Sequence, residues 1–159
     1  MNILICGFGV FGRKHAEAWK KAAVDCKLLV ADSNPEMRKA AVEAGCNFED
    51  VGDFNDLISR ADIVDIVTTS ESHFDLATAS LSTGKPTLIE KPAVKSIEEA
   101  KFLKYTSEER GVPVQIQFVL RAHPLVSLAQ EVISAGTIGR LVAMDGVFTG
   151  WKRMRPDAS

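Results

Sequence analysis

The sequence lacks a large excess of charge of either sign. Its 159 residues include 19 Lys and Arg against 21 Asp and Glu, a formal net charge of -2. A balance of this kind gives no overall field that would attract nucleic acid or an anionic membrane, so neither is expected as a partner. Any anion that the protein binds must therefore be held by local groups.

The sequence has few cysteines, and their spacing matches no disulfide or metal-binding motif. Cys6, Cys26 and Cys46 are odd in number and form no CxxC motif. The pattern suggests neither a disulfide framework nor a zinc site, and no metal ligands are assigned. We expect a reduced, cytoplasmic protein.

The chain also has no basic stretch before its first apolar run, no apolar run of membrane-spanning length, no internal repeat and no low-complexity tract. A signal peptide and a membrane span are therefore not predicted. A chain of this length is expected to bury about 70% of the surface that its unfolded form exposes.

What the sequence does contain is a regular alternation of short β-type runs and longer helical patterns, which predicts a parallel sheet covered by helices, an α/β fold of the doubly wound Rossmann type. The predicted strands are Asn2 to Cys6, Lys27 to Ala31, weakly Asn47 to Glu49, Ile63 to Thr68, Thr87 to Glu90 and Val114 to Val119. The predicted helices are Val10 to Ala23, Pro35 to Ala44, His73 to Ser82, Ser96 to Arg110 and Pro124 to Ala135.

Helix ends carry their own signals. Asn34 before Pro35 is a predicted N-cap, and Ser96 with Glu99 forms a predicted capping box. Glycines just after the last turns predict helix ends at Gly45, Gly84, Gly111 and Gly136.

The first strand runs into a GxGxxG turn and then a helix. In such a turn the first glycine permits the tight bend, the second lets the backbone approach a diphosphate, and the third lets the helix pack close to the strand. The predicted diphosphate-binding residues are Gly7, Phe8, Gly9, Val10, Phe11 and Gly12. A purely structural glycine turn is the alternative.

Asp32 ends the second predicted strand, 20 residues beyond Gly12, where a carboxylate binds the ribose hydroxyls of an adenosine. Its charge would repel the 2′-phosphate of NADP, and the neighbouring Ser33 and Asn34 supply no cation. Arg38 lies further on, in the next helix. NAD is therefore favoured over NADP, and the alternative role of Asp32 is to cap a turn.

Glu90, Lys91 and Pro92 follow a predicted strand at the carboxyl edge of the sheet, where open α/β sheets bind ligands. From the residues alone, a solvated turn with an ion pair is the favoured interpretation of this segment. At this point the chain resembles the Gfo/Idh/MocA oxidoreductases, the family of glucose-fructose oxidoreductase and inositol dehydrogenase. The resemblance rests on GxGxxG, Asp32, His73 after a strand, "GKPTLIEKP" and "LRAHP…AGTIGRLV".

The resemblance implies roles for matching residues. Lys91 is the implied catalytic residue, placed near the nicotinamide and the substrate hydroxyl, where a cation would stabilise a developing alkoxide. Glu90 is expected to orient Lys91 or contact the cofactor. Pro92 is expected to fix the turn, with a cis bond as one way of doing so.

The remaining expected cofactor contacts are less specific. Thr68, Thr69 and Ser70 follow a strand, although "TSES" stands where the family often has a Thr-Pro-Asn-like turn. His73 is expected at a helix start, where a structural role is commoner than a catalytic one. Arg121 is expected to reach the cofactor or substrate, or else to form an interdomain salt bridge. His15 is expected to pack or cap locally on the first helix.

Length is the main departure from the family, whose members continue into a further domain. The predicted organisation is a nucleotide-binding domain over 1–121, followed by a connecting helix and the first strand of an α+β domain over 122–159. The implied function is NAD-dependent oxidation of a sugar, cyclitol or related polyol. The alternative is a non-catalytic nucleotide-binding module or a fragment that pairs with another chain. A homo-oligomer is expected, through the strand-like run from Arg140 to Phe148; the alternative is that this run is poorly ordered.

Overall fold

The protein is described by a computed structural model that covers residues 1–22, 25–46 and 54–147. This part of the chain contains five strands: β1 (Asn2–Cys6), β2 (Lys27–Ala31), β3 (Ile63–Ile66), β4 (Thr87–Ile89) and β5 (Val114–Ile116). Its α-helices are α1 (Val10–Lys21), α2 (Pro35–Glu43), α3 (Phe54–Arg60), α4 (Ser70–Ser82), α5 (Ile97–Arg110) and α6 (Pro124–Ser134), and a 3-10 helix spans Val119–Ala122.

The strands form one parallel sheet in the order β2-β1-β3-β4-β5. The chain passes from β1 outward to β2 and then returns across β1 to β3, so the order reverses beside β1. Ligands of doubly wound sheets bind at this reversal, outside the carboxyl ends of the strands. The predicted Rossmann-type fold is confirmed.

Two apolar clusters lie on opposite faces of the sheet. On one face Ile3, Ile5 and Val30 pack with Ala16 of α1 and Ala41 of α2. On the other face the strands pack against α3, α4 and α5, with a cluster that includes Leu4, Ile66, Leu57, Leu81 and Leu103. Alternate residues of a strand point to opposite faces of the sheet. Because helices cover both faces, the central strands are apolar almost without interruption.

Several predicted boundaries need correction. The strand predicted to reach Thr68 ends at Ile66, the one predicted to reach Val119 ends at Ile116, and α4 begins at Ser70 rather than His73. The strands are shorter because the segments after them leave the sheet to form the ligand edge and the 3-10 helix. Helix α3 was not among the predicted helices, and the weak strand prediction over 47–49 lies outside the described residues.

The predicted helix caps and the glycines predicted to end helices are confirmed. The Asn34 side chain accepts a hydrogen bond from the Glu36 amide at 2.9 Å, and Ser96 accepts one from the Glu99 amide at 3.1 Å. The four glycines predicted to end helices all have positive φ. In the capping box, the Glu99 carboxylate binds the Lys95 amide instead of the Ser96 amide.

The chain divides into two compact units, Met1–Phe118 and Val119–Ser159. The described part of the second unit contains the 3-10 helix and α6, followed by residues 135–147, which form no helix or strand. The strand expected from Arg140 to Phe148 is thus absent from the described residues of this segment, since a strand needs a hydrogen-bonded neighbour. None of the helices in the described ranges is long and apolar enough to cross a bilayer.

Candidate functional site

A cleft of about 690 Å³ lies at the carboxyl ends of β1, β2 and β3. Its lining includes most of the residues predicted to hold a cofactor: Gly7, Gly9, Val10, Phe11, Asp32, Ser33, Thr68 and Thr69. The position matches the strand-order reversal described above. The topology therefore gathers residues from three separate βα connections at one edge of the sheet.

The three glycines of the turn have different surroundings. Gly7 has a φ of 95°, in the left-handed region, and a Cβ there would meet the backbone of Val67 and Thr68 at 2.9 to 3.0 Å. A Cβ at Gly12 would collide with the carbonyl oxygen of Gly7. A Cβ at Gly9 would have no neighbour within 4 Å. Gly7 and Gly12 are thus required by the fold, whereas the space over Gly9 is left open on the cleft side.

Helix α1 starts at this open space. Gly9 is its N-cap and provides no side-chain acceptor for the first amides of the helix. The first turn also has no acidic residue that would neutralise the positive end of the helix dipole. These amides and the dipole suit a diphosphate group, so the residues present fit the nicotinamide dinucleotide that the motif implies.

Asp32 lies at the end of β2 and uses both carboxylate oxygens. Oδ2 accepts a hydrogen bond from the Phe8 amide at 2.7 Å, and Oδ1 accepts one from the Asn34 amide at 2.8 Å. The carboxylate thus ties the glycine turn to the β2–α2 turn while it lines the cleft. The hydrogen bond from the Asn34 amide is the kind of contact that the alternative role of Asp32, capping a turn, predicts.

Arg38 is a cleft residue that the sequence analysis placed away from the ribose site. It lies in the first turns of α2, and its Nη1 is 3.3 Å from the carbonyl oxygen of Asp32. Met37 and Ser72 also line the cleft without having been predicted. Helical spacing was the available signal for Arg38, because a residue three positions after Pro35 returns to the side of the helix that faces the preceding turn.

His73 connects two loops beneath the surface. Its side chain is almost fully buried, with 1% of the residue exposed. Nε2 lies 3.0 Å from the carbonyl oxygen of Thr68, and Nδ1 lies 2.8 Å from the carbonyl oxygen of Pro92. This imidazole therefore joins a cleft residue to the Glu90-Lys91-Pro92 segment, in agreement with the structural role.

Lys91 and its neighbours follow β4. Lys91 is exposed, Glu90 is nearly buried, and the Lys91–Pro92 bond is cis. Glu90 Oε2 accepts a hydrogen bond from the Lys91 amide at 3.0 Å. Glu90 thus contacts the backbone of Lys91.

Some predicted contacts lie outside the cleft lining. Phe8 is fully buried in the core below the turn, and Ser70 is the first residue of α4, with its hydroxyl 3.4 Å from Glu71. Arg121 belongs to the 3-10 helix in the second unit. Glu90 and Lys91 are also not part of the lining.

His15 was expected to pack or cap locally on α1, and its polar partners instead come from distant segments. Its Nδ1 lies 2.9 Å from Asp65 Oδ2, and its Nε2 lies 3.4 Å from Glu90 Oε1. The hydrogen bond to Asp65 raises the pKa of His15, burial opposes that shift, and the charges of Asp65 and Glu90 add to the rise. Local sequence could not reveal these partners, which come from β3 and from the end of β4.

Known proteins match both the sequence and the fold. The family described as "Oxidoreductase family, NAD-binding Rossmann fold" matches residues 1–118. The chain is 29% identical to levoglucosan dehydrogenase of Pseudarthrobacter phenanthrenivorans over 93% of its own length and 40% of that protein. It is 33% identical to UDP-N-acetylglucosamine 3-dehydrogenase of Acidithiobacillus ferrooxidans, over 82% of this chain and 41% of the relative.

Solved structures agree with this result. Levoglucosan dehydrogenase in complex with NADH and L-sorbose superposes with a TM-score of 0.80 at 27% identity, over 88% of this chain and 40% of that one. An NAD binding oxidoreductase from Klebsiella pneumoniae gives 0.79 at 27% identity, over 87% and 40%. The chain thus spans about 40% of the length of these relatives. By its sequence and its fold, the chain belongs to the Gfo/Idh/MocA oxidoreductase family, of which it carries the NAD-binding Rossmann domain.

Proposed function

We propose that the chain is the cofactor-binding part of an NAD-dependent dehydrogenase that transfers hydride between the nicotinamide and a sugar, cyclitol or related polyol. The observation that carries the proposal is the buried link made by His73. One imidazole contacts the carbonyl oxygens of Thr68, which lines the cleft, and Pro92, which follows Lys91. The candidate catalytic lysine is therefore on a loop attached to the cofactor cleft. The named dehydrogenases among the relatives support the substrate class.

Each part of the cleft has a proposed role. The amides at the start of α1 and the open space at Gly9 bind the diphosphate, and Asp32 with Ser33 binds the adenosine ribose. Thr68, Thr69, Ser70 and Arg121 remain proposed contacts towards the nicotinamide end. NAD, when bound, supplies the hydride acceptor in the oxidation direction.

Lys91 is the proposed catalytic residue. In the oxidation, the C–H and O–H bonds of a substrate carbinol break and a C=O bond forms: the hydride would pass to NAD, giving NADH, and the hydroxyl proton would pass to water. Negative charge develops on the oxygen as it loses this proton. The ammonium group of Lys91 stabilises this charge and helps to hold the reacting oxygen in place. The effect grows as water is excluded from the site, because charge interactions strengthen in a medium of lower dielectric constant.

The test uses Lys91→Met in the complete natural polypeptide that carries this sequence, assayed with a panel of polyols and sugars. We expect kcat to fall about 100-fold or more, while NADH affinity by fluorescence titration stays within about three-fold. Lys104→Met, a substitution on the exposed surface of α5, is the matched control. Turnover at the wild-type rate by Lys91→Met would refute the role.

The second candidate function is a nucleotide-binding module without catalysis. It is supported by the cleft lining, which includes the glycine turn and Asp32 but neither Glu90 nor Lys91. It predicts NADH binding with no turnover of any polyol by the complete polypeptide. The panel assay separates the two functions directly.

The cellular compartment, the domain boundary and the oligomeric state of the protein are also proposals. Cys6, Cys26 and Cys46 are all free thiols, and free thiols suit the reducing cytoplasm. A nucleotide-binding domain over 1–121 and a homo-oligomer formed through the segment from Arg140 to Phe148 are kept as proposals. The exposed apolar side chains of Val142, Met144 and Val147 support self-association of this segment.

A further inference from the structure

Asp65 is a carboxylate in the middle of the sheet. It lies in β3 between apolar neighbours and has no exposed surface. A buried carboxylate is costly unless it is paired and hydrogen-bonded. Its partners both come from α1: Trp19 Nε1 donates to Oδ2 at 2.7 Å, and His15 Nδ1 lies 2.9 Å from the same oxygen.

His15 has a second carboxylate on its other side. Its Nε2 lies 3.4 Å from Glu90 Oε1, and the two side chains are only 13% and 11% exposed. A neutral imidazole has one N–H, so it can donate to only one of two carboxylates. The protonated ring has two N–H groups and can donate to both. Among the described residues, the titratable groups that face His15 are Asp65 from β3 and Glu90 from the end of β4.

The strand register explains why the two carboxylates share one imidazole. Asp65 of β3 pairs with Leu88 of β4, and Glu90 is two residues beyond Leu88. Alternate residues of a strand point to the same face, so Asp65 and Glu90 lie on the face that α1 covers. Glu90 then binds the amide of Lys91 through Oε2 at 3.0 Å. A continuous set of contacts therefore runs from Asp65 through His15 and Glu90 to the backbone of Lys91.

We propose that Asp65 and His15 are positioning residues for Lys91: the imidazolium of His15, held by Asp65, fixes the Glu90 carboxylate, which in turn fixes the Lys91 backbone. The inference deepens the proposed function and rests on it for the catalytic importance of Lys91. The same contacts join Lys91 to α1, the helix whose first turn lies at the diphosphate site. A role confined to stability would leave the order of the Lys91 loop independent of the protonation of His15.

The first experiment measures amide hydrogen exchange at Lys91 by NMR, with the 15N shifts of the imidazoles recorded over pH 5.5 to 9. In the wild-type chain we expect both ring nitrogens of His15 to be protonated at pH 7. The protection factor of the Lys91 amide should fall as His15 loses its proton. Asp65→Asn keeps the size of the side chain and removes its charge. It should move the midpoint of the His15 titration and the midpoint of the fall in Lys91 protection to lower pH together.

Variants extend the test. His15→Gln should lower the Lys91 protection factor about ten-fold, since glutamine is uncharged and carries its two N–H donors on one nitrogen, whereas those of the imidazolium are on opposite sides of the ring. His123→Gln, in the second unit, is the matched control and should stay within about two-fold. Should His15→Gln fail to fold, the wild-type titration still decides. A singly protonated His15 at pH 7, or a Lys91 protection factor indifferent to its titration, would overturn the proposal.

A double-mutant cycle in the complete polypeptide connects the contacts to catalysis. His15→Gln should lower kcat/KM about ten-fold in the wild-type background and less than about two-fold in the Lys91→Met background. Equal losses in both backgrounds would refute the positioning role. If Lys91→Met does not affect turnover, the proposed function is refuted instead. The hydrogen-exchange experiment would still test whether the protonation of His15 orders the Lys91 backbone.

Discussion

Gly9 and Gly12 have different surroundings in the glycine turn. A side chain at Gly9 enters open space in the cleft, whereas one at Gly12 collides with the Gly7 carbonyl. We expect Gly9→Val to keep the fold and to weaken NADH binding at least about 100-fold, because the isopropyl group occupies the space proposed for the diphosphate. Circular dichroism and a fluorescence titration measure the two effects.

Gly12→Ala is the matched comparison for Gly9→Val. It should destabilise the chain by about 3 kcal/mol, since neither backbone segment can move away easily. Urea denaturation measures this loss. Normal NADH affinity in Gly9→Val would mean that the glycine turn serves the fold alone.

Asp32 and Arg38 together concern the choice between NAD and NADP. The Asp32 carboxylate disfavours a 2′-phosphate, and the Arg38 guanidinium already lies at the same turn. Asp32→Asn should therefore tighten NADPH binding about ten-fold, and the further change Arg38→Ala should reverse that gain. Titrations with NADH and NADPH test both variants. An unchanged ratio of the two affinities would show that the carboxylate does not face the ribose.

The pairing of α1 with β3 and β4 should make stability depend on pH. The Asp65 hydrogen bond raises the folded-state pKa of His15 above its unfolded value. Protonated His15 therefore contributes to the unfolding free energy. The contribution is complete at pH values below the unfolded-state pKa, near 6.5, and it disappears as the pH rises through the folded-state pKa.

The expected result is that wild-type exceeds His15→Gln in unfolding free energy by about 1 kcal/mol at pH 5.5, and by less at pH 9. Urea denaturation at the two pH values gives the difference. His123→Gln should show no such trend. A difference that grows with pH would contradict the assigned sign.

These contacts also show what the sequence could predict. Glycine spacing, Asp32 and the caps at Asn34 and Ser96 are local signals. The two caps are confirmed, and Gly7, Gly9 and Asp32 line one cleft. The partners of His15 and His73 depend on strand register and on which face a helix covers, which are set by the packing of distant segments. Strand ends were too long because β-type residues such as Val67 and Phe118 continue past the last ladder pair.

Burial is distributed unevenly along the chain. Both apolar clusters are built from residues of the first unit, and no described residue from 119 to 147 is buried. Exposed apolar side chains are frequent in that segment, among them Leu125, Val142 and Val147. Both described apolar clusters therefore form without residues of the second unit, and the exposed apolar side chains of the second unit are the candidates for the proposed association.

This distribution predicts the effect of shortening the chain. A version ending at Phe118 should fold with an unfolding free energy within about 1 kcal/mol of the 159-residue chain, because it keeps both clusters and every strand of the described sheet. It should be more soluble and more monomeric in light scattering, since the exposed apolar segment is gone. NADH binding should survive, because the glycine turn, Asp32, Thr68 and Lys91 all precede the cut, although the proposed contact from Arg121 is lost. A version ending at Gly139 keeps α6 and separates the contribution of that helix from that of residues 140–159. Loss of folding or of NADH binding at either cut would show that the nucleotide-binding domain includes the removed residues.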